Sequence, residues 1–131
     1  MRRQIILVVD DDPSWLKLLC RLFTGNDYEI VAAMSCSGAI EAAKIIRPDC
    51  VVLDYNLPDG NAGTVCSGLG ARAGRRIPVV VFSSDPAAGS CLAGEFPADK
   101  LLLKNAALET LLAAVKELLA PGTADAPPPG A

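Results

Sequence analysis

The chain has 131 residues, about half of them apolar, a net charge of −3 and no histidine. That length suits one domain burying roughly two-thirds of its unfolded surface, and the weak negative charge gives the domain no electrostatic grip on nucleic acid or an anionic membrane. No apolar run approaches the roughly 18 residues of a membrane span, and the run behind Arg2-Arg3 stops at Val9 before three aspartates, so no signal peptide is expected.

Ile5–Val9 reads as a strand buried on both faces, closed by Asp10-Asp11-Asp12. Asp12-Pro13 is a helix entry, with Asp as N-cap and Pro at the first helical position. Trp15, Leu18, Leu19, Leu22 and Phe23 then form one apolar helical face, which Gly25-Asn26 stops. Tyr28 to Ala33 is a weaker strand, and Glu29 suits the edge of a sheet. Ser37 is expected to cap a helix running to Arg47, with Ala42, Ile45 and Ile46 inward and Pro48 ending it.

Cys50-Val51-Val52-Leu53 is a third buried strand. A charge cannot continue into such a core, so Asp54 stands where the strand emerges. The stretch Tyr55 to Gly60 is a turn, and Thr64 to Ala73 a thin helical stripe weakened by Gly68 and Gly70. Ile77–Phe82 predicts a fourth strand with Ser83-Ser84 at its end. The segment from Ala87 to Phe96 predicts a short helix interrupted by Gly89 and Gly94. Leu101–Leu103 is a fifth strand closed by Lys104, and Asn105 is expected to cap a last helix carrying Leu108, Leu111, Leu112, Val115, Leu118 and Leu119. Residues 1–120 therefore read as one domain. Residues 121–131, rich in Pro, Ala and Gly, read as a disordered tail or the stub of a linker.

Strand and helix alternate five times, which predicts an α/β domain with a parallel sheet, right-handed crossovers and helices on both faces. In such a sheet every strand ends on the same rim, where ligands bind. That rim receives Asp10, Asp11, Asp12, Asp54, Ser83-Ser84 and Lys104. Clustered carboxylates repel one another, and a divalent cation relieves them. With oxygen ligands alone, that cation is expected to be Mg²⁺. A cation beside an ammonium and a hydroxyl in turn suits a phosphoryl group, and Asp54 is a candidate nucleophile for it. The five cysteines are scattered without a CxxC and read as small buried hydrophobes.

Each signal has a plainer reading, as a solvated acidic loop, a turn starter, a strand-end serine or a surface lysine. Their joint placement is not explained that way. The runs Val8-Val9-Asp10-Asp11-Asp12-Pro13, Pro48 to Gly60, Pro78 to Ser84 and Leu102-Leu103-Lys104 together resemble the receiver domain of two-component response regulators. The resemblance covers residues 4 to about 119. It implies a flavodoxin-like doubly wound fold with strand order 2-1-3-4-5. It also implies that Asp54 accepts a phosphoryl group from a sensor histidine kinase or phosphotransfer protein. Asp11 would hold Mg²⁺ directly and Asp10 through water, with Asp54 and the backbone carbonyl of Asn56 completing the metal site. Ser83 and Lys104 would bind the phosphoryl oxygens.

Such a module works in the cytoplasm and is no metabolic enzyme, catalysing only its own phosphorylation and dephosphorylation. It passes the signal to a downstream protein, without touching nucleic acid or membrane itself. A homodimer would use the face of the predicted fourth helix, fifth strand and fifth helix. Three positions depart from the family pattern: Ala62 stands where glycine is usual, Asn105 where proline is frequent, and Leu101 where an aromatic commonly reports phosphorylation. Two other readings exist. One is a receiver-shaped interaction module that is never phosphorylated, favoured by Leu101 and Ala62. The other is a phosphohydrolase of the haloacid dehalogenase type, whose DxD motif Asp10-Asp11-Asp12 satisfies formally but whose later acidic pair is missing after Lys104.

Overall fold

The computed structural model describes residues 3–69, 71–72, 75–85 and 99–120. Five strands form one sheet: β1 (Ile5–Val9), β2 (Glu29–Ala33), β3 (Cys50–Leu53), β4 (Val79–Ser83) and β5 (Lys100–Leu103). All neighbours are parallel and the order is β2-β1-β3-β4-β5, as the resemblance implies. Four helices are described: α1 (Pro13–Thr24), α2 (Cys36–Ile46), α3 (Ala62–Leu69) and α4 (Leu108–Leu119). The expected helix over 87–96 and the tail over 121–131 lie outside the described residues.

Period-two alternation along the strands splits the core into two layers. Ile6, Val8, Cys50, Val52, Val80 and Phe82 face α1 and α4, meeting Leu16, Leu19, Phe23, Leu111 and Val115. Leu7, Val9, Val51, Leu53, Val79 and Val81 face the other way, toward Ala39 and Ala43 of α2 and Val65 of α3. β1 and β3 are therefore wholly apolar, and β4 is apolar up to its terminal Ser83, because both faces of each are covered. The two edge strands β2 and β5 keep mostly half-buried residues, as Glu29 suggested for β2.

Local chemistry sets the helix ends, with four differences from the sequence reading. Asp12 caps α1 as expected, its carboxylate accepting from the Ser14 N–H at 2.9 Å. Ser35, not Ser37, caps α2 by accepting from the Gly38 N–H at 3.0 Å. The α2 register turns Ala39 and Ala43 inward, leaving Ile45 80% exposed rather than packed. The third helix starts at Ala62 instead of Thr64 and its described part ends at Leu69. Asn105 is not a cap: α4 begins after Ala107, which supplies no side-chain bond. Asn105 instead lies in the turn after Lys104, where the Ala106 N–H donates to the Leu103 carbonyl at 2.9 Å.

One long-range tie reinforces α2. Asp59 accepts from the Cys36 N–H at 2.7 Å and the Ser37 N–H at 3.1 Å, so two free amides at the helix N-terminus are met by a carboxylate from the loop after β3. These bonds hold the Asp59 carboxyl down at about 2. A depressed carboxyl contributes stability above its unfolded value near 3.8, lost as pH falls through the folded value. Asp59→Ala is therefore expected to lower the melting temperature at neutral pH. The deficit should shrink as pH falls from about 4 toward 2, and a deficit constant with pH would dismiss the tie.

Candidate functional site at the rim of the sheet

The sheet order places the crossover reversal between β1 and β3, since the chain leaves β1 first toward β2 and then to the opposite side. A crevice opens at such a point, beyond the carboxyl ends of the strands. Asp10 and Asp54 are the residues directly after those two strands. Backbone bonds fix both: the Asp10 N–H donates to Ala33 O at 3.1 Å, and the Asp54 N–H to Val9 O at 2.9 Å. Ser83 ends β4, and Lys104 follows β5 with its N–H on Ser83 O at 2.9 Å. Ladder pairing thus continues one residue past β1, β3 and β5, and with Ser83 at the end of β4 it delivers these side chains to one rim.

Lys104 is the hub. Its Nζ lies 2.6 Å from Asp10 Oδ2 and 3.3 Å from Asp54 Oδ2. The side chains are only 8%, 3% and 12% exposed for Lys104, Asp10 and Asp54, so these are sheltered ion pairs with little solvent screening. Asp10 also accepts from the Asp12 N–H at 3.0 Å, which folds the acidic loop back over it. Burial raises the Asp54 carboxyl above its ordinary value. The Lys104 charge opposes that rise, and the neighbouring Asp10 adds to it.

Carboxylate oxygens of Asp10, Asp11 and Asp54 lie within 4.8 Å of one another. Asp10 is buried, Asp11 exposed and Asp54 between them. An all-oxygen set with one exposed member suits a hard divalent ion that keeps part of its water. Ser83 is 1% exposed, and its Oγ accepts from the Asp85 N–H at 3.1 Å.

A family model of the response regulator receiver domain matches residues 6–116. The chain belongs to that family. Among curated relatives, this receiver domain is 35% identical over 118 residues to the DNA-binding response regulator MtrA of Mycolicibacterium smegmatis, covering 89% of this chain and 51% of that protein. It is 36% identical over 115 residues to the transcriptional regulatory protein PrrA of Mycobacterium tuberculosis, covering 87% and 49%. The chain thus spans about half the length of these relatives. A two-component response regulator from Clostridium difficile superposes with a TM-score of 0.79 at 28% identity, covering 89% of this chain and 96% of that one.

Asp10, Asp11, Asp54, Ser83 and Lys104 all reach the rim of the receiver domain. Asn56 is exposed and opens a two-residue antiparallel arm, Asn56–Leu57 against Gly60–Asn61. Gly60 is required in that arm: a Cβ there would stand 2.7 Å from Thr64 Oγ1 and 3.1 Å from Cys36 Sγ. Ala62 occupies the family's glycine position without opening the loop. It is fully buried, and its N–H donates to Tyr55 O at 2.8 Å. Leu101 is half-buried against the layer that holds α2 and α3.

Two participants escape sequence reasoning. Asp59 reads as a turn residue because its partners lie 22 and 23 positions upstream. Trp15 reads as one member of an apolar helix face, yet Lys104 Nζ lies 5.0 Å from its ring centroid. An aromatic in the first turn after an acidic loop is the signal that could have found it. The buried thiols of Cys36 and Cys50 are packing groups. Burial pushes Cys50 up to about 12 and Cys36 up to about 11, well away from reactive thiolates.

Proposed function

We propose that this receiver domain takes a phosphoryl group onto Asp54 from a phosphohistidine of a sensor histidine kinase or phosphotransfer protein, and that the modified domain changes its protein contacts. The P–N bond of the donor breaks as an O–P bond to Asp54 forms. The carrying observation is the placement of Asp54 between a cluster of carboxylate oxygens and the Lys104 ammonium at 3.3 Å. Phosphoryl transfer depends chiefly on positioning and charge neutralisation, and those are the two things this rim supplies.

Asp10, Asp11 and Asp54, with the Asn56 carbonyl, are the groups that would hold Mg²⁺. Held by these groups, Mg²⁺ would supply neutralisation of the negative charge that builds up at the acceptor carboxylate and the incoming phosphoryl oxygens. Lys104 and the Ser83 hydroxyl are the chain's own partners for those oxygens. The domain performs no other catalysis, acts in the cytoplasm and leaves nucleic-acid contact to other parts or partners. Among the described residues no helix is long and apolar enough to cross a membrane.

Trp15 is the sole tryptophan and adjoins the site, so its emission reports the rim. Titration with Mg²⁺ alone is expected to change that emission saturably, and an Asp11→Asn variant should shift the midpoint to higher concentration. A flat response at every concentration would remove the metal from the reading.

A further inference from the structure

We propose that Trp15 is a positioning residue for Lys104, holding the ammonium on the rim whatever the charge state of the carboxylates beside it. This rests on the phosphoryl-transfer reading, in which Lys104 must meet the incoming phosphoryl oxygens. Among the described residues three contacts fix the Lys104 head: Asp10 Oδ2 at 2.6 Å, Asp54 Oδ2 at 3.3 Å and the Trp15 ring with its centroid at 5.0 Å. The two carboxylates are the groups whose charge is offset when a cation binds, and Asp54 loses its carboxylate charge when it is esterified. The indole face is the one contact of the three that carries no ionisable group, so it survives both events.

The ring itself is fixed from behind. Trp15 meets Phe82 edge-on, with centroids 5.4 Å apart and planes at 85°, and Phe82 is 1% exposed at the penultimate position of β4. Pro13 and the Asp12 cap set the first turn of α1, which aims residue 15 at the rim. A lysine side chain is a flexible four-carbon stem with a strongly hydrated head, and without a cover it can swing out to water. Cation–π contact to a tryptophan face supplies the cover and excludes that water.

The test compares Trp15→Leu and Trp15→Phe with the wild type, each with and without Lys104→Met. Intact mass follows the rate of adduct formation with a small-molecule phosphodonor at saturating Mg²⁺. Trp15→Leu is expected to slow the reaction roughly five- to tenfold, Trp15→Phe to recover most of the rate, and Trp15→Leu to add nothing once Lys104 is methionine. Equal slowing with and without Lys104, or a Phe variant as slow as Leu, overturns the proposal. A second readout needs neither phosphorylation nor a change at position 15: Lys104→Met should shift Trp15 emission in the metal-free domain, and Lys104→Arg should shift it less. Unchanged emission overturns the contact. No adduct on the wild type together with shifted emission would instead sink the phosphoryl-acceptor reading and leave the Trp15–Lys104 pairing standing.

Discussion

On the proposed reading the wild-type domain takes up a single phosphoryl adduct from a small-molecule phosphodonor and Mg²⁺; Asp54→Asn is expected to abolish it and at the same time to raise thermal stability at neutral pH. The first effect follows from removing the nucleophilic oxygen, for which an amide is no substitute. The second follows from the sign of the Asp54 shift. Burial raises this carboxyl above its ordinary value of 3.8 despite the nearby Lys104. A carboxyl raised in the folded state favours folding below its unfolded value and loses that contribution as pH climbs through the folded value. At neutral pH the ionised Asp54 is thus a liability, which the neutral amide relieves. The stability gain should fade as pH approaches and passes below about 3.8. Persistence of the adduct in the variant, or a stability loss at neutral pH, would contradict this account.

Lys104→Met is expected to have the largest effect on the fold among site substitutions. It leaves Asp10 and Asp54, both almost sheltered from solvent, facing each other without a cation. Removing one partner from a buried ion pair costs about 3–5 kcal/mol, a fall in melting temperature of roughly 10 °C or more for a domain of this size. Losing the Lys104 charge also removes the influence that holds the Asp54 carboxyl down, so it should rise further. Acid then becomes a remedy: the deficit of the variant should narrow on lowering the pH, as the raised Asp54 carboxyl takes up a proton. Mg²⁺ should narrow it as well, because a ligand that binds only the folded state stabilises it by mass action. Thermal melts across pH, with and without Mg²⁺, check both statements. A variant as stable as wild type at neutral pH in chelator would refute them.

The strands and the rim residues were readable because each buried strand is an unbroken apolar run with a charge or hydroxyl at its end, whereas the strand order came with the family resemblance alone. Ile5–Val9 before Asp10 and Cys50–Leu53 before Asp54 leave no choice of register, since a charge one residue earlier would enter the core. Helix boundaries were less readable, for reasons of competition between similar residues. Ser35 and Ser37 are both capable caps, and Asp59 bonding to the Cys36 and Ser37 amides is what fits Ser35 to the task. Ala-rich α2 has no strong stripe, so Ile45 looked inward while Ala39 and Ala43 made the close contact with the sheet. At α4, Asn105 stands close to the start but two residues too early, because the turn after Lys104 intervenes. The contact of Trp15 with Lys104 joins distant segments, and its one trace in the sequence is an aromatic in the first turn after the acidic loop.

The ion pair between Lys104 and Asp10 joins residues 94 positions apart, and its lysine hangs from β5, the edge strand whose residues are all half-buried. Edge strands open more readily than the strands they border, in local events that leave the remaining core intact. Opening of β5 would carry the ammonium away while Asp10, Asp11 and Asp54 stayed in place on β1 and β3. The domain therefore has two thresholds: a higher one for remaining folded and a lower one for remaining able to react. Mutations that loosen β5, for instance at the Lys100–Glu117 ion pair (3.2 Å) between that strand and α4, could silence the site without unfolding the chain.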